Sequence, residues 1–324
     1  MRMHGRAALL TLGLAALLLI PAAAGAKTAT KHHLDMYKAE QHITLGESQS
    51  GTYTLSCPNG DIAADGMWRI DEVGPYNPQL ADPDESPWTI ASGVDVLGSY
   101  PSGNSQYTFR FRNTTSEDAQ LKIWVTCLGK TTAPDTHSHS FVVGNIKTKG
   151  YGPLAQQDFV PSNSDIPCAA DEVYIAPGWN VTAGDATPFS SYPEPNLSQW
   201  SYGFYVTSPN TSLTVYGRCL KYKTGPTNGH AHKLYAYHRT GPVEHFNKGN
   251  GVWEHQISCD EHQKGLVGGW SLFNAGHHWD NFPWHFLGMD PRIKARAYKT
   301  YGVGANGQFF LVCFNDRTSR PLAP

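Results

Sequence analysis

A cysteine followed eleven positions later by a tryptophan occurs three times in this chain of 324 residues. In each copy a second cysteine follows, at the end of "LKIWVTC", "LTVYGRC" or "QFFLVC". A spacing that repeats while the residues inside it vary indicates one structural framework used three times. The three sets are Cys57, Trp68 and Cys127; Cys168, Trp179 and Cys219; and Cys259, Trp270 and Cys313.

Other segments recur around this framework. A "SYP" triplet places Pro101 and Pro193 each 26 residues before a second cysteine. The segments "CLGKTTAPDTHSHSF" and "CLKYKTGPTNGHAHKL" also match each other, whereas the third copy lacks "SYP" and departs most, in "MDPRIKARAYKTYG". We predict triplication of a module of roughly 90 residues. The expected domains are module one at 27–134, module two at 135–227 and module three at 228–324.

The first 26 residues have the pattern of a secretory signal peptide. A basic start, "MRMHGR", precedes a short apolar run and the small residues "AGA", which are typical of a cleavage site. The apolar run is too short to span a bilayer comfortably. We therefore predict a secreted or cell-surface protein, periplasmic in a Gram-negative host, with no membrane span after cleavage.

All six cysteines follow that signal, and an even count in an exported chain favours three disulfides. Apolar residues alternate before the second cysteines, as at Leu121, Ile123 and Val125, which is typical of half-buried strands. The two cysteines recur at the same places in each module, which predicts pairing within each module: Cys57–Cys127, Cys168–Cys219 and Cys259–Cys313.

These features predict an all-β protein of tandem, disulfide-stapled β-sandwich modules. A cysteine, a tryptophan about a dozen residues later and a distant cysteine form the framework of an immunoglobulin-like sandwich, whose tryptophan packs on the disulfide. Trp68, Trp179 and Trp270 are accordingly expected in the core. The tyrosine two residues before the second cysteine is absent, so the immunoglobulin topology is the weaker part of this prediction.

The segments "CPNGD", "GSYPSGNSQYTFRFRNTT" and "LTVYGRCLK" carry a resemblance over most of each module. They resemble three-repeat, β-rich secreted bacterial proteins of unknown function. The resemblance implies export and a β-rich repeat, and it carries no catalytic residues.

Charge and motifs narrow the function classes. The net charge is −2 without a long basic run, which argues against nucleic acid as a partner. The common catalytic motifs of hydrolases, metalloproteases and phosphate-binding enzymes are absent. We expect a non-enzymatic extracellular structural or adhesive protein that needs no cofactor and meets an extracellular glycan or protein surface. The alternatives are a carbohydrate- or metal-binding protein with its site in module three, and an extracellular hydrolase.

Two H-x-H pairs are candidate ligands for zinc or copper: His137 with His139, and His230 with His232. Residues two apart on a strand face the same way, so each pair could offer two imidazoles to one ion. Module one has adjacent His32 and His33 instead, which would face opposite sides. The alternative is a solvent-exposed strand start.

A second candidate is the stretch "FNAGHHWDNFPWHF" in module three, which mixes rings with coordinating groups. The alternative is that its aromatic residues pack in the core. The candidate ligand residues are His277, His278, Trp279, Asp280, Trp284 and His285.

An aromatic residue stands three positions before each second cysteine. Period two places it on the face opposite the cysteine. We expect it to pack against a neighbouring module, with an exposed binding strip as the alternative. These residues are Trp124, Tyr216 and Phe310.

Overall fold

The computed structural model describes residues 30–73, 93–133, 137–163, 166–243, 252–273, 285–303 and 306–322. The predicted signal peptide lies outside these ranges. Within them, no helix is long and apolar enough to cross a bilayer. Module one forms six strands: β1 (Met36–Leu45), β2 (Ser50–Ser56), β3 (Ile62–Val73), β4 (Val94–Gly103), β5 (Gln106–Asn113) and β6 (Ala119–Leu128).

Modules two and three repeat this series. Module two contains β7 (Lys147–Leu154), β8 (Phe159–Asn163), β9 (Glu172–Ala183), β10 (Ala186–Pro193), β11 (Trp200–Val206) and β12 (Thr211–Lys221). Module three contains β14 (Ala236–Thr240), β15 (Val252–Ser258), β16 (Gln263–Phe273), β17 (His285–Arg292), β18 (Ala297–Val303) and β19 (Asn306–Asn315). A short ladder of β13 (Ala231–His232) and β20 (Pro321–Leu322) is additional.

Each module divides its strands between two half-sheets. In module one the orders are β1-β6-β3 and β2-β5-β4, and the other modules repeat them. The all-β prediction is therefore confirmed. The strand order differs from that of an immunoglobulin domain, since here every connection except the hairpin of the fourth and fifth strands crosses to the other half-sheet.

The half-sheets of different modules join into three six-stranded sheets. Module one's β1-β6-β3 continues into β17-β18-β15 of module three, β14-β19-β16 continues into β10-β11-β8, and β7-β12-β9 continues into β4-β5-β2. The modules thus follow one another around an approximate threefold axis, and Lys31–Pro324 forms one compact unit. The expected separate sandwiches are wrong in this respect, because each six-stranded sheet takes its strands from two modules.

Three disulfides join Cys57 to Cys127, Cys168 to Cys219, and Cys259 to Cys313, as the repeated spacing predicts. They close loops of 70, 51 and 54 residues. On the chain-entropy account each such loop closure contributes about 4 kcal/mol to stability.

The recurring tryptophans meet at the threefold axis. Trp68, Trp179 and Trp270 are 1%, 3% and 1% exposed, so all three are core residues. Their ring centroids are 5.3, 6.3 and 6.5 Å apart, in edge-to-face arrangements. The fixed Cys–Trp distance therefore places one ring from each module in a shared aromatic core, where edge-to-face contacts are favourable.

The aromatic residues before the second cysteines pack across the junctions between modules. Tyr100 stacks on Tyr216 of module two at 4.9 Å, and Tyr192 stacks on Phe310 of module three at 4.8 Å. The tyrosines belong to the "SYP" triplets. The repeated triplet is thus a junction element. Tyr216 and Phe310 pack against a neighbouring module, as expected, and do not form an exposed strip.

The third junction uses charge in place of the tyrosine. Gly288 of β17 pairs with Arg69 of β3 in the same way that Gly98 of β4 pairs with Asn180 of β9. Asp290, two residues after Gly288, is therefore the counterpart of Tyr100, two residues after Gly98. Asp290 pairs with Lys38 at 3.0 Å, and the Lys38 ammonium lies 5.2 Å from the Trp124 ring centre. The "MDP" triplet therefore replaces "SYP", and module three keeps this framework element in a different form.

Candidate metal centre

One histidine from each module lies at a second point on the approximate threefold axis. His32, His139 and His232 are each 0% exposed. Their ring centroids are 4.5 Å (His139–His232), 4.7 Å (His32–His232) and 5.1 Å (His32–His139) apart. We call these three residues the inner triad.

A threonine after each second cysteine positions the histidines. In each case the threonine N–H donates to the histidine carbonyl at 2.8–2.9 Å, and the histidine N–H donates to the threonine Oγ1 at 2.9–3.0 Å. Because each histidine is bonded through both its backbone N–H and its carbonyl, this pairing fixes the position of the histidine Cα. The pairs are Thr132 with His139, Thr224 with His232, and Thr318 with His32.

The pair of Thr318 and His32 closes the ring of modules. These residues are 286 positions apart, whereas the other two threonine–histidine pairs are only seven and eight positions apart. Leu34 N–H adds a bond to the Asp316 carbonyl at 2.9 Å. The inner triad is therefore assembled only when the two ends of the described chain meet.

Backbone carbonyls also select the tautomer of two of the histidines. His139 Nδ1 lies 3.1 Å from the Gly225 carbonyl, and His232 Nδ1 lies 2.8 Å from the Ser319 carbonyl. A carbonyl can only accept, so Nδ1 carries the hydrogen and Nε2 keeps its lone pair. Both Nε2 atoms are buried and have no hydrogen-bond partner within the described ranges.

A second tier covers the inner triad. His137 and His230 are half-buried, and their Nε2 atoms are 3.2 Å apart. We call them the outer pair. One nitrogen each from His137 and the three inner histidines all lie within 4.8 Å of one another. The cluster thus offers four imidazole nitrogens to one point.

Burial favours the neutral form of two of the inner imidazoles. It lowers the pKa of His139 and His232, and their bonds to backbone carbonyls offset this only in part. The neighbouring histidines lower both pKa values further, because two imidazolium ions would repel each other. Neutral imidazole is the ligand that zinc and copper bind.

This geometry revises the sequence-based expectations for the H-x-H pairs. Both pairs come together in one cluster, and a solvent-exposed strand start is wrong for His139 and His232. The apparent mismatch in module one disappears, because buried His32 completes the triad while exposed His33 faces away.

A repeated sequence motif marks the threonines that pair with the histidines. "KTTAP", "KTGP" and "RTSRP" repeat a threonine followed by a small residue and a proline shortly after each second cysteine. These segments contain Thr132, Thr224 and Thr318, and two of them supply the carbonyls of Gly225 and Ser319.

The module-three candidates fall almost entirely outside the described residues. His277, His278, Trp279, Asp280 and Trp284 lie outside the described residues, and His285 is described only as the first residue of β17. The adjoining Phe286 is 8% exposed and stacks on Trp270 at 4.2 Å. Phe286 therefore packs in the core, which was the alternative interpretation of the aromatic residues in this stretch.

Comparison with known proteins supplies no assignment. No protein-family model matches the chain, and no curated protein sequence matches it. The resemblance to secreted repeat proteins stays an expectation.

Proposed function

We propose that this is an exported transition-metal-binding protein whose ion binds at the inner triad with His137 as a fourth ligand. The observation that carries the proposal is the fixed, buried arrangement of His139 and His232. Each imidazole is oriented by a backbone carbonyl, and no donor among the described residues reaches either Nε2 lone pair. Metal-binding histidines typically have this second hydrogen bond.

A purely structural role explains the cluster less well. A buried polar atom without a hydrogen bond costs about 1–3 kcal/mol. The cluster places at least two such nitrogens next to each other, at His139 and His232. A bound cation removes this cost, since both lone pairs then have a partner.

The ligand set favours borderline metals. Among the described residues, the four-nitrogen group consists of histidines alone, without a carboxylate. Imidazole suits Zn²⁺, Cu²⁺ and Ni²⁺, whereas Ca²⁺ and Mg²⁺ require oxygen ligands. We therefore propose Zn²⁺ or Cu²⁺ as the ion.

The bound ion fits the structural role expected of a secreted repeat protein. Its ligands come from all three modules, so it cross-links the ring where the ends of the described chain meet. The signal-like residues 1–26 and the three disulfides support export to an oxidising compartment. An extracellular glycan or protein partner remains a proposal based on the sequence.

Calorimetric titration with Zn²⁺ and Cu²⁺ tests the proposal. The variants are His139→Ala/His232→Ala and a control, His42→Ala/His262→Ala, whose side chains are 67% and 79% exposed. We expect one tightly bound ion per chain in the native protein and the control, and loss of that ion in the first variant. Melting in the presence of a chelator checks that the variant is folded. Equal binding by both variants, or none by the native protein, would refute the proposal.

A further inference from the structure

Resting on the proposed metal site, we propose that the ion enters the inner triad through an outer position formed by His137 and His230. In this arrangement His137 is a ligand in both positions, and His230 is a ligand only in the outer one. The outer pair is therefore an entry site for a divalent transition-metal ion.

The separation of the outer pair fits two ligands of one ion. Zinc–imidazole bonds are about 2.0–2.1 Å, so two nitrogens at a tetrahedral angle lie roughly 3.3 Å apart. The Nε2 atoms of His137 and His230 are 3.2 Å apart. His230 Nδ1 also lies 3.3 Å from the Asn228 carbonyl, which leaves Nε2 as the lone-pair nitrogen.

Exposure and contacts connect the two positions. Both outer histidines are half-buried, while all three inner histidines are fully buried. The His137 ring lies 4.9 Å from both His32 and His139, and the His230 ring lies 4.9 Å from His139. A hydrated ion can therefore meet the outer pair first and reach the inner nitrogens without leaving the cluster.

One ion in two positions explains the cluster better than two ions. His137 belongs to the group of four nitrogens within 4.8 Å of one another, whereas His230 does not. Two dications this close would repel strongly among neutral ligands, because the described residues of the group include no anion to bridge them. His137 is thus the ligand shared between the positions.

Kinetics of Zn²⁺ binding and of release to a coloured chelator test the entry site. The variants are His230→Ala, His139→Ala and the exposed control His262→Ala. On-rates among variants of one site vary over about one to three decades, so we expect His230→Ala to slow binding and release roughly tenfold or more. Its equilibrium affinity should stay close to native, since both rates fall together. His139→Ala should lose affinity, and His262→Ala should match the native protein.

Two results would overturn the entry site while leaving the metal centre intact. If His230→Ala lost as much affinity as His139→Ala, His230 would be a ligand of the final position. If His230→Ala left both rates unchanged, the 3.2 Å contact would be an ordinary hydrogen bond between two imidazoles. Absence of Zn²⁺ binding by the native protein would instead remove the metal centre itself.

Discussion

At the scale of single residues, the arrangement of the histidine cluster depends on threonines that lie outside the proposed set of metal-binding side chains. Thr224 Oγ1 accepts the His232 N–H at 2.9 Å, and both residues are buried. Replacing the hydroxyl by a methyl group leaves that N–H without a partner and allows the imidazole to shift.

Thr224→Val should therefore lower stability by about 1–3 kcal/mol, the cost of a buried unsatisfied donor. It should also weaken metal binding, because the His232 backbone loses one of its two anchors. Denaturant unfolding and calorimetry measure the two effects. Thr52→Val, at an exposed position of β2, is the matched control and should change neither. Native stability and affinity in Thr224→Val would show that the pairing is dispensable.

A second prediction at this scale concerns Asp65, a carboxyl that is 1% exposed. Burial raises its pKa well above the ordinary value, although Gly268 N–H donates to it at 2.8 Å. The folded state therefore holds the proton to higher pH than the unfolded state. Its contribution to stability is full below the unfolded pKa near 3.9 and is lost as pH rises through the folded pKa.

Asp65→Asn should remove that decline of stability with rising pH, since the amide remains neutral and still accepts from Gly268. Thermal unfolding from pH 4 to pH 8 measures it, with exposed Asp171→Asn as the control. The buried histidines make the stability of both proteins rise with pH, so the difference between the wild-type and Asp65→Asn profiles isolates Asp65. An unchanged slope in Asp65→Asn would contradict the prediction.

The sequence predicts the role of a residue well only where the contacts behind that role are close together in the chain. The H-x-H spacing marked four histidines of the cluster, although His137, His139 and His230 lie outside the named strands. His32 could not be assigned in the same way, because its role comes from Thr318, 286 positions away. The orienting carbonyls of Gly225 and Ser319 are backbone atoms, which no residue type identifies.

At the scale of elements, the three junctions between modules rest on short ladders with little room for side chains. At Gly288, which has φ +132°, an added Cβ would come within 1.8 Å of the Trp68 carbonyl oxygen. The strands on both sides would have to separate to accept it. Glycine alone tolerates both the backbone angle and this close approach.

Gly288→Ala should therefore destabilise the protein by about 3 kcal/mol or more, combining strain at positive φ with overpacking. Gly150→Ala, where nothing lies within 4 Å of the added Cβ, is the control and should be nearly neutral. Guanidinium unfolding compares them. Equal midpoints for the two variants would mean that the junction yields without cost.

The elements themselves were more predictable than their partners. Alternating apolar residues and the repeated cysteine spacing predicted strands and disulfides, because each acts within one module. The junction of β4 with β9 consists of only Gly98–Asn180 and Ser99–Trp179. Gly98 and Ser99 are small and carry no hydrophobic pattern, so the sequence did not predict that half-sheets join across modules.

At the scale of the whole molecule, the shared sheets make the modules mutually dependent. Module two contributes β10-β11-β8 to a sheet shared with module three, and β7-β12-β9 to a sheet shared with module one. Its Trp179 packs against Trp68 and Trp270. A single module would expose both junction edges and this aromatic surface to water.

Residues 135–227 expressed alone should therefore not fold, even with the Cys168–Cys219 disulfide formed. The intact protein should unfold in one cooperative transition. Calorimetry and near-ultraviolet circular dichroism of both proteins provide the comparison. A cooperative melt of the isolated module would restore the view of three separate sandwiches that the repeat alone suggested.

The most direct measurement is anomalous diffraction at the zinc edge from crystals grown with Zn²⁺. The proposed metal centre predicts one strong peak on the approximate threefold axis, about 2.0–2.1 Å from Nε2 of His139 and of His232. A map with no peak in the histidine cluster, and zinc only at exposed histidines such as His42 or His262, would contradict it.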